Sequence, residues 1–181
     1  MKGSTLDIVQ GLFDKLQQVP DRVSAFERRD GNSAMLWLQW LSESEKMLKD
    51  HGFAECAALA GIRADVLVQL SEKQVRKEKL IAVLKTVNAA QAVLLEKYNT
   101  LSEKVENVRT FLRQVLMQIN DAGMLEYDDN TDFTSFVNFL FQQMNSNAQL
   151  SGSIHNAVAT LGKTDVLRLI AETLTQIKSE I

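Results

Sequence analysis

The sequence predicts an all-α fold: a bundle of about six or seven helices with one long, heptad-patterned helix around residues 72–120. Three observations lead to this prediction. The 181 residues include one proline and eight glycines, so the chain is poor in residues that turns between strands require. Apolar residues recur at spacings of three and four along several segments, which is the period of an amphipathic helix. From Ile62 to Ala122 the chain contains neither glycine nor proline.

The first predicted helix begins near the N-terminus of the chain. Ser4 or Thr5 can cap it, because their hydroxyl groups accept hydrogen bonds from the first backbone N–H groups of a helix. Its apolar stripe extends to Val19, and we expect Pro20 to end the helix or to bend the path of the chain. A short turn or helical segment follows, before Gly31.

A second helix is predicted from Asn32 or Ser33 to about His51, with Gly52 as its stop. Its first half reads AMLWLQWL, and the apolar side chains of this stretch point in nearly all directions around a helix. A helix that is apolar on every side must be covered on every side, so we expect this segment to be fully packed. The alanine-rich stretch that follows predicts a short helix that ends at Gly61.

The long helix carries a regular seam. The seam positions run from Leu80 to Ile119 at spacings that alternate between four and three residues throughout. Nearly all of the residues at these positions are aliphatic. Such regularity is typical of a coiled coil, because a straight helix drifts against a seven-residue repeat. A capping box at Thr100 would permit a break, but the seam favours one continuous helix. We expect a single domain over residues 1–181, with the 72–120 helix able to project as a coiled-coil arm.

The C-terminal part predicts three more helices. Asn130 or Thr131 caps the first of them, whose clean apolar face leaves Phe139 off the main stripe. A further helix ends at Gly162, and the last one runs from Asp165 to Ile181. The segment Gly162-Lys163-Thr164 resembles the end of a phosphate-binding loop, but position 157 is alanine where that motif requires glycine. We therefore interpret it as a corner, with Gly162 as a stop and Thr164 as a cap.

Sites for metals or catalysis find little support in the sequence. Aspartates 128 and 132 have calcium-loop spacing, but Phe133 and Phe139 occupy positions that should be glycine and glutamate. His51, Cys56 and His155 lack the spacing of a zinc site, and no nucleophile–base pair is evident. We predict no catalytic residue, no metal ligand and no cofactor, and hence a protein that is not an enzyme.

Charge leaves a second function open. The formal net charge is −3, which gives no general attraction to nucleic acid, yet residues 73–113 hold nine Lys or Arg and four Glu. The densest basic cluster could contact phosphate groups, and it comprises Lys73, Arg76, Lys77 and Lys79. A helical nucleic-acid-binding accessory protein that uses residues 73–85 is therefore one alternative, and a helical bundle that binds a small ligand is another.

The leading prediction is a non-catalytic module for protein–protein interaction, which acts through coiled-coil and helix packing as a homo-oligomer or as a subunit of a larger complex. The expected interface consists of Leu84, Gln91, Leu94, Tyr98, Leu101, Val105, Leu112 and Phe139. A polar residue within a seam, here Gln91, can set the register of the helices. A single cysteine, no signal-like start and no long apolar run predict a cytoplasmic protein without membrane contact.

Overall fold

The structure is a computed structural model that describes residues 3–71, 76–125 and 132–179, without the side chains of 76–80, 178 and 179. Within these ranges every regular element is an α-helix, and no strand occurs. The helices are α1 (Thr5–Gln17), α2 (Val19–Glu27), α3 (Ser33–Asp50), α4 (Cys56–Ser71), α5 (Arg76–Asp121), α6 (Phe133–Ser146), α7 (Ser151–Leu161) and α8 (Lys163–Ser179). The predicted all-α fold is confirmed.

The long helix is confirmed as well. α5 continues through Thr100, whose hydroxyl group donates a hydrogen bond of 2.9 Å to the carbonyl oxygen of Glu96 one turn earlier. That bond lies within the helix, so Thr100 does not begin a new one. Buried residues occur along α5 from Val83 to Leu116, so other parts of the chain cover this stretch of the helix.

The chain divides into two compact units. The N-terminal unit comprises Met1–Gly3 and Ile8–Thr100, and the C-terminal unit comprises Ser4–Asp7 and Leu101–Ile181. Each unit has its own buried apolar side chains, as a hydrophobic core requires. The prediction of a single domain over residues 1–181 stays a prediction.

Two tryptophans of α3 form the centre of the N-terminal unit. The rings of Trp37 and Trp40 stack with centroids 4.6 Å apart, and both side chains are fully buried. The indole N–H of Trp37 donates to Thr86 Oγ1 at 3.0 Å, and that of Trp40 donates to the carbonyl oxygen of Lys15 at 3.1 Å. Each buried polar atom of the indoles therefore has a partner, which burial of tryptophan requires.

The ends of the first helices agree with the sequence in part. α3 runs from Ser33 to Asp50, and Gly52 follows with a φ of 73°, a conformation that glycine adopts at little cost. α1 ends at Gln17, shortly before Pro20, and Pro20 lies in the first turn of α2, where its missing N–H is not needed. The expected stop at Gly61 is wrong, since α4 continues through that residue to Ser71.

The C-terminal unit packs α6 against α7 and α8, and α7 against α8. Asp132 caps α6 by accepting a hydrogen bond of 2.9 Å from the backbone N–H of Ser135, so the expected cap at residue 130 or 131 is wrong. The corner after α7 is confirmed, since Gly162 has a φ of 94° and its N–H bonds to the carbonyl of Val158. α8 begins at Lys163, so Thr164 lies inside the helix and does not cap it.

Candidate functional site

Half of the residues of the predicted interface are buried within the chain. Four of the eight are 7% exposed or less, namely Leu94, Leu101, Val105 and Leu112. Three others are half-buried, namely Leu84, Gln91 and Tyr98. Phe139 stands apart, because 54% of its surface is exposed on α6. The seam therefore packs against its own chain, and contact between these residues and a second molecule stays a prediction.

The predicted phosphate-contact cluster cannot be placed. Lys73 lies outside the described residues, and so do the side chains of Arg76, Lys77 and Lys79. At the end of the basic stretch, Lys85 is exposed on α5, as a solvated lysine commonly is. The nucleic-acid alternative thus receives no geometric support from the described residues.

The N-terminal unit carries an open groove between α3 and α4. Its volume is about 420 Å³, and most of its wall is apolar. The lining residues are Asn32, Met35, Leu36, Leu38, Gln39, Ser42, Arg63 and Leu67. Six of these lie on or just before α3 and two lie on α4, so the groove follows the helix pair.

Several apolar side chains in and beside this groove are in contact with solvent. Met35 is 68% exposed, Leu67 is 48% exposed, and Val68, the next residue of α4, is 53% exposed. Leu36 and Leu38 are half-buried along the same wall. The expectation that α3 is covered on every side is therefore wrong for its first half, where the tryptophans are covered and the opposite face is open.

Two polar side chains of the groove are hydrogen-bonded, Arg63 to the neighbouring helix and Gln39 within α3. Nε of Arg63 lies 2.9 Å from a carboxylate oxygen of Glu45, and this ion pair joins α4 to α3. Nε2 of Gln39 donates to Glu43 Oε1 at 2.8 Å, and Lys15 binds the other oxygen of that carboxylate at 2.5 Å. The bond from Lys15, together with the bond from Gln39, lowers the pKa of Glu43. The charged groups at the rim therefore hold the helices in place.

The remaining candidates for a functional site are metal-binding side chains, the histidines and the cysteine. Within residues 3–71, 76–125 and 132–179, side chains of His, Cys, Asp and Glu form no group of three that could hold a metal ion. His51 Nδ1 lies 2.8 Å from the carbonyl oxygen of Met47, which fixes the ring on its own helix, and Cys56 is a half-buried free thiol. The groove therefore offers apolar contact and few reactive groups.

Among the described residues, no helix combines the length and the apolar character that crossing a bilayer requires. No family model, no curated protein and no solved structure matches the sequence.

Sequence reasoning missed the groove and one buried carboxylate. The signal for the groove was present, because AMLWLQWL has more apolar faces than a bundle of this size covers. The apolar pattern did not identify which face of α3 is exposed, since the exposed face depends on where α4 packs. Asp165, which is 1% exposed, also went unnoticed as a site of tertiary contact. Its partners lie near residue 5, and spacing along the sequence gives no indication of that pairing.

Proposed function

We propose that the protein is a non-catalytic interaction module whose α3–α4 groove binds a helix of another protein. The observation that carries this proposal is the uncovered apolar face of α3. Met35 and Leu67 lie on opposite walls of one groove, and both expose about half of their surface or more. Adjacent exposed apolar side chains that line a groove, with polar groups at the rim, are typical of protein-binding sites.

A helix is the occupant that fits this shape best. α3 and α4 are consecutive helices that pack on each other across the short segment 51–55, so they form an antiparallel hairpin. The groove between two such helices runs along their length, and side chains of a third helix can interdigitate with both walls. Apolar residues at positions i, i+3 or i+4, and i+7 of an amphipathic partner would meet Met35, Leu38 and Leu67.

A small molecule fits less well. Pockets for small ligands enclose most of the ligand and place a few polar groups toward it. Here the groove is open, Arg63 is bound to Glu45, and Gln39 is bound to Glu43. Arg63 and Gln39 are thus engaged, which leaves Asn32 and Ser42 among the polar residues of the wall, whereas an apolar helix face needs no polar group to orient it.

A site-specific photo-cross-linker tests the proposal. A benzophenone amino acid replaces Met35 in the full chain, and the cross-linked species from an extract of the source cells are identified by mass spectrometry. The matched control carries the same group at Met124, which is 73% exposed in the C-terminal unit. We expect one protein to be cross-linked from position 35 and not from position 124. A synthetic helix from that protein should then bind the unmodified chain.

A charge in the groove is the second part of the test. Leu67→Glu places a carboxylate on a side chain that is already 48% exposed, so the fold should tolerate it. We expect the affinity for the synthetic helix to fall at least about tenfold, since an unpaired charge in an apolar interface is costly. Met124→Glu should leave the affinity unchanged. Equal binding by both variants would refute the groove as the site.

A second copy of the chain is the other candidate occupant, and sedimentation distinguishes the two. A monomer mass at micromolar concentration supports a different protein as the partner, whereas a dimer abolished by Leu67→Glu would assign the groove to self-association. A charge in the seam of α5, such as Leu101→Asp, would be a poor probe of assembly. Its leucine is 7% exposed, so the substituted charge would disturb the chain's own core.

A further inference from the structure

The first turn of α8 holds a buried carboxylate with distant partners. Asp165 is 1% exposed. It accepts hydrogen bonds from Ser4 Oγ at 2.6 Å, from the backbone N–H of Thr5 at 2.5 Å and from that of Leu6 at 3.4 Å. A carboxylate removed from water needs hydrogen-bond donors in place of the lost water. Asp165 obtains them from the first residues of α1.

The dependence is mutual, because the start of α1 needs acceptors. The first N–H groups of a helix have no partner within that helix. Those of Thr5 and Leu6 bind Asp165, and that of Asp7 binds Ser4 Oγ at 3.1 Å. The negative charge of Asp165 also interacts favourably with the positive end of the helix dipole. α1 is thus capped by a residue that lies far along the chain.

A second charged pair strengthens this contact. Arg168 of α8 donates to Asp7 Oδ1 at 2.6 Å and to Ser4 Oγ at 3.3 Å. The hydrogen bond with Asp7 raises the pKa of Arg168, which favours the charged guanidinium. Thr5 adds a bond of 3.4 Å from its hydroxyl group to the carbonyl oxygen of Leu161.

We infer that residues Ser4–Asp7 form a polar latch, which opens from α8 while the rest of α1 stays helical. The four residues belong to the C-terminal unit, whereas Ile8 and the residues after it belong to the N-terminal unit. None of the four is buried, so little apolar area holds the latch closed. Its stability depends on the charge of Asp165 and on the Arg168–Asp7 pair. Segments held by polar contacts open at a lower free energy than the whole fold.

An open latch would expose a recognition site. Asp165 would present an acceptor for the first N–H groups of a helix, and Arg168 would present a donor for an acidic residue three positions after the cap. The partner that this arrangement fits is the first turn of another helix. That helix would have Ser or Thr at its N-cap and Asp or Glu three positions later. The latch is independent of the α3–α4 groove, and either inference can fail without the other.

Amide hydrogen exchange of the full chain, measured by NMR, tests the latch. We expect the amides of residues 5–7 to exchange faster than those of Leu12 to Gln17 in the unchanged protein. Asp165→Asn removes the charge and keeps the shape, so it should speed exchange of Thr5 and Leu6 about tenfold, as loss of a charged hydrogen bond does. The amides of residues 12–17 should not change.

Three results would overturn the latch. The first is equal exchange along all of α1, which would mean that the helix opens as one piece. The second is an Asp165→Asn chain that no longer folds, because opening would then not be local. The third is an unchanged rate at Thr5 and Leu6. Asp7→Asn serves as the comparison, since it weakens the pair with Arg168 and leaves the bonds of Asp165 to Thr5 and Leu6 in place, so it should have a smaller effect.

Discussion

Ser44 provides a test of the core that removes a single oxygen atom. It lies on α3 and is 0% exposed, and its hydroxyl group has no hydrogen-bond partner in the described structure. A buried hydroxyl that loses its bonds to water without compensation destabilises the folded state. We therefore expect Ser44→Ala to raise the free energy of unfolding, although most substitutions in a core lower it.

The magnitude follows from three contributions. Removing an unsatisfied buried hydroxyl group should stabilise the fold by about 1–3 kcal/mol. Alanine is the better helix former by about 0.5 kcal/mol. The space that the oxygen leaves costs roughly 0.3 kcal/mol, given the usual cost per unit of cavity volume. The net expectation is a gain of about 1–3 kcal/mol, or an increase in Tm of roughly 2–10 °C for a chain of this length.

Urea unfolding followed by circular dichroism measures the effect. The midpoint should rise while the slope with urea stays constant, because the surface exposed on unfolding hardly changes. Ser42→Ala is a matched control on the same helix, since Ser42 is exposed and gains only the helix-propensity contribution. If Ser44→Ala lowers the midpoint, its hydroxyl group must bond to a neighbour such as the carbonyl oxygen of Trp40, and the reasoning fails.

Three further expectations concern single contacts. Lys97 hydrogen-bonds to Glu55 and lowers the pKa of that carboxyl below its ordinary value of 4.5. This carboxylate therefore stabilises the fold above about pH 4.5 and loses the contribution as the pH falls. Glu55→Gln should therefore reduce stability by at most about 1 kcal/mol at pH 7, and by less at pH 3 in urea titrations. Gly162→Ala should cost about 1–3 kcal/mol in the same assay, because its φ of 94° strains any side chain. Trp37→Phe should cost about 2–4 kcal/mol through loss of the 3.0 Å bond to Thr86 and through the space that the smaller ring leaves, and a thermal melt would detect it.

The helices were predictable because their signals are local. The period of the apolar residues and the glycine stops depend on neighbours within about four positions, so α3 could be bounded almost to the residue. Gly61 shows the limit of that approach. An isolated glycine costs a helix only about 1 kcal/mol relative to alanine, and packing of α4 outweighs this cost. Local signals identified the helix and placed its end incorrectly.

The function of the heptad seam was less predictable, because a seam specifies contact and not the identity of the contacting helix. Leu94 and Leu112 are fully buried in the described structure, which is what a seam requires, yet the covering residues come from the same chain. Only the arrangement of the helices distinguishes a contact within the chain from a contact between chains. The same holds for Asp165, because its donors at Ser4, Thr5 and Leu6 are distant in sequence.

The first half of α3 shows a difference between the cover that its sequence requires and the cover that the structure supplies. The sequence requires cover around the whole first half of that helix, since polar residues are nearly absent from it. The structure supplies cover on the side of Trp37 and Trp40, and leaves Met35 exposed beside Leu67. The proposed contact with another helix would account for both the sequence and the groove, and its test therefore begins at Met35.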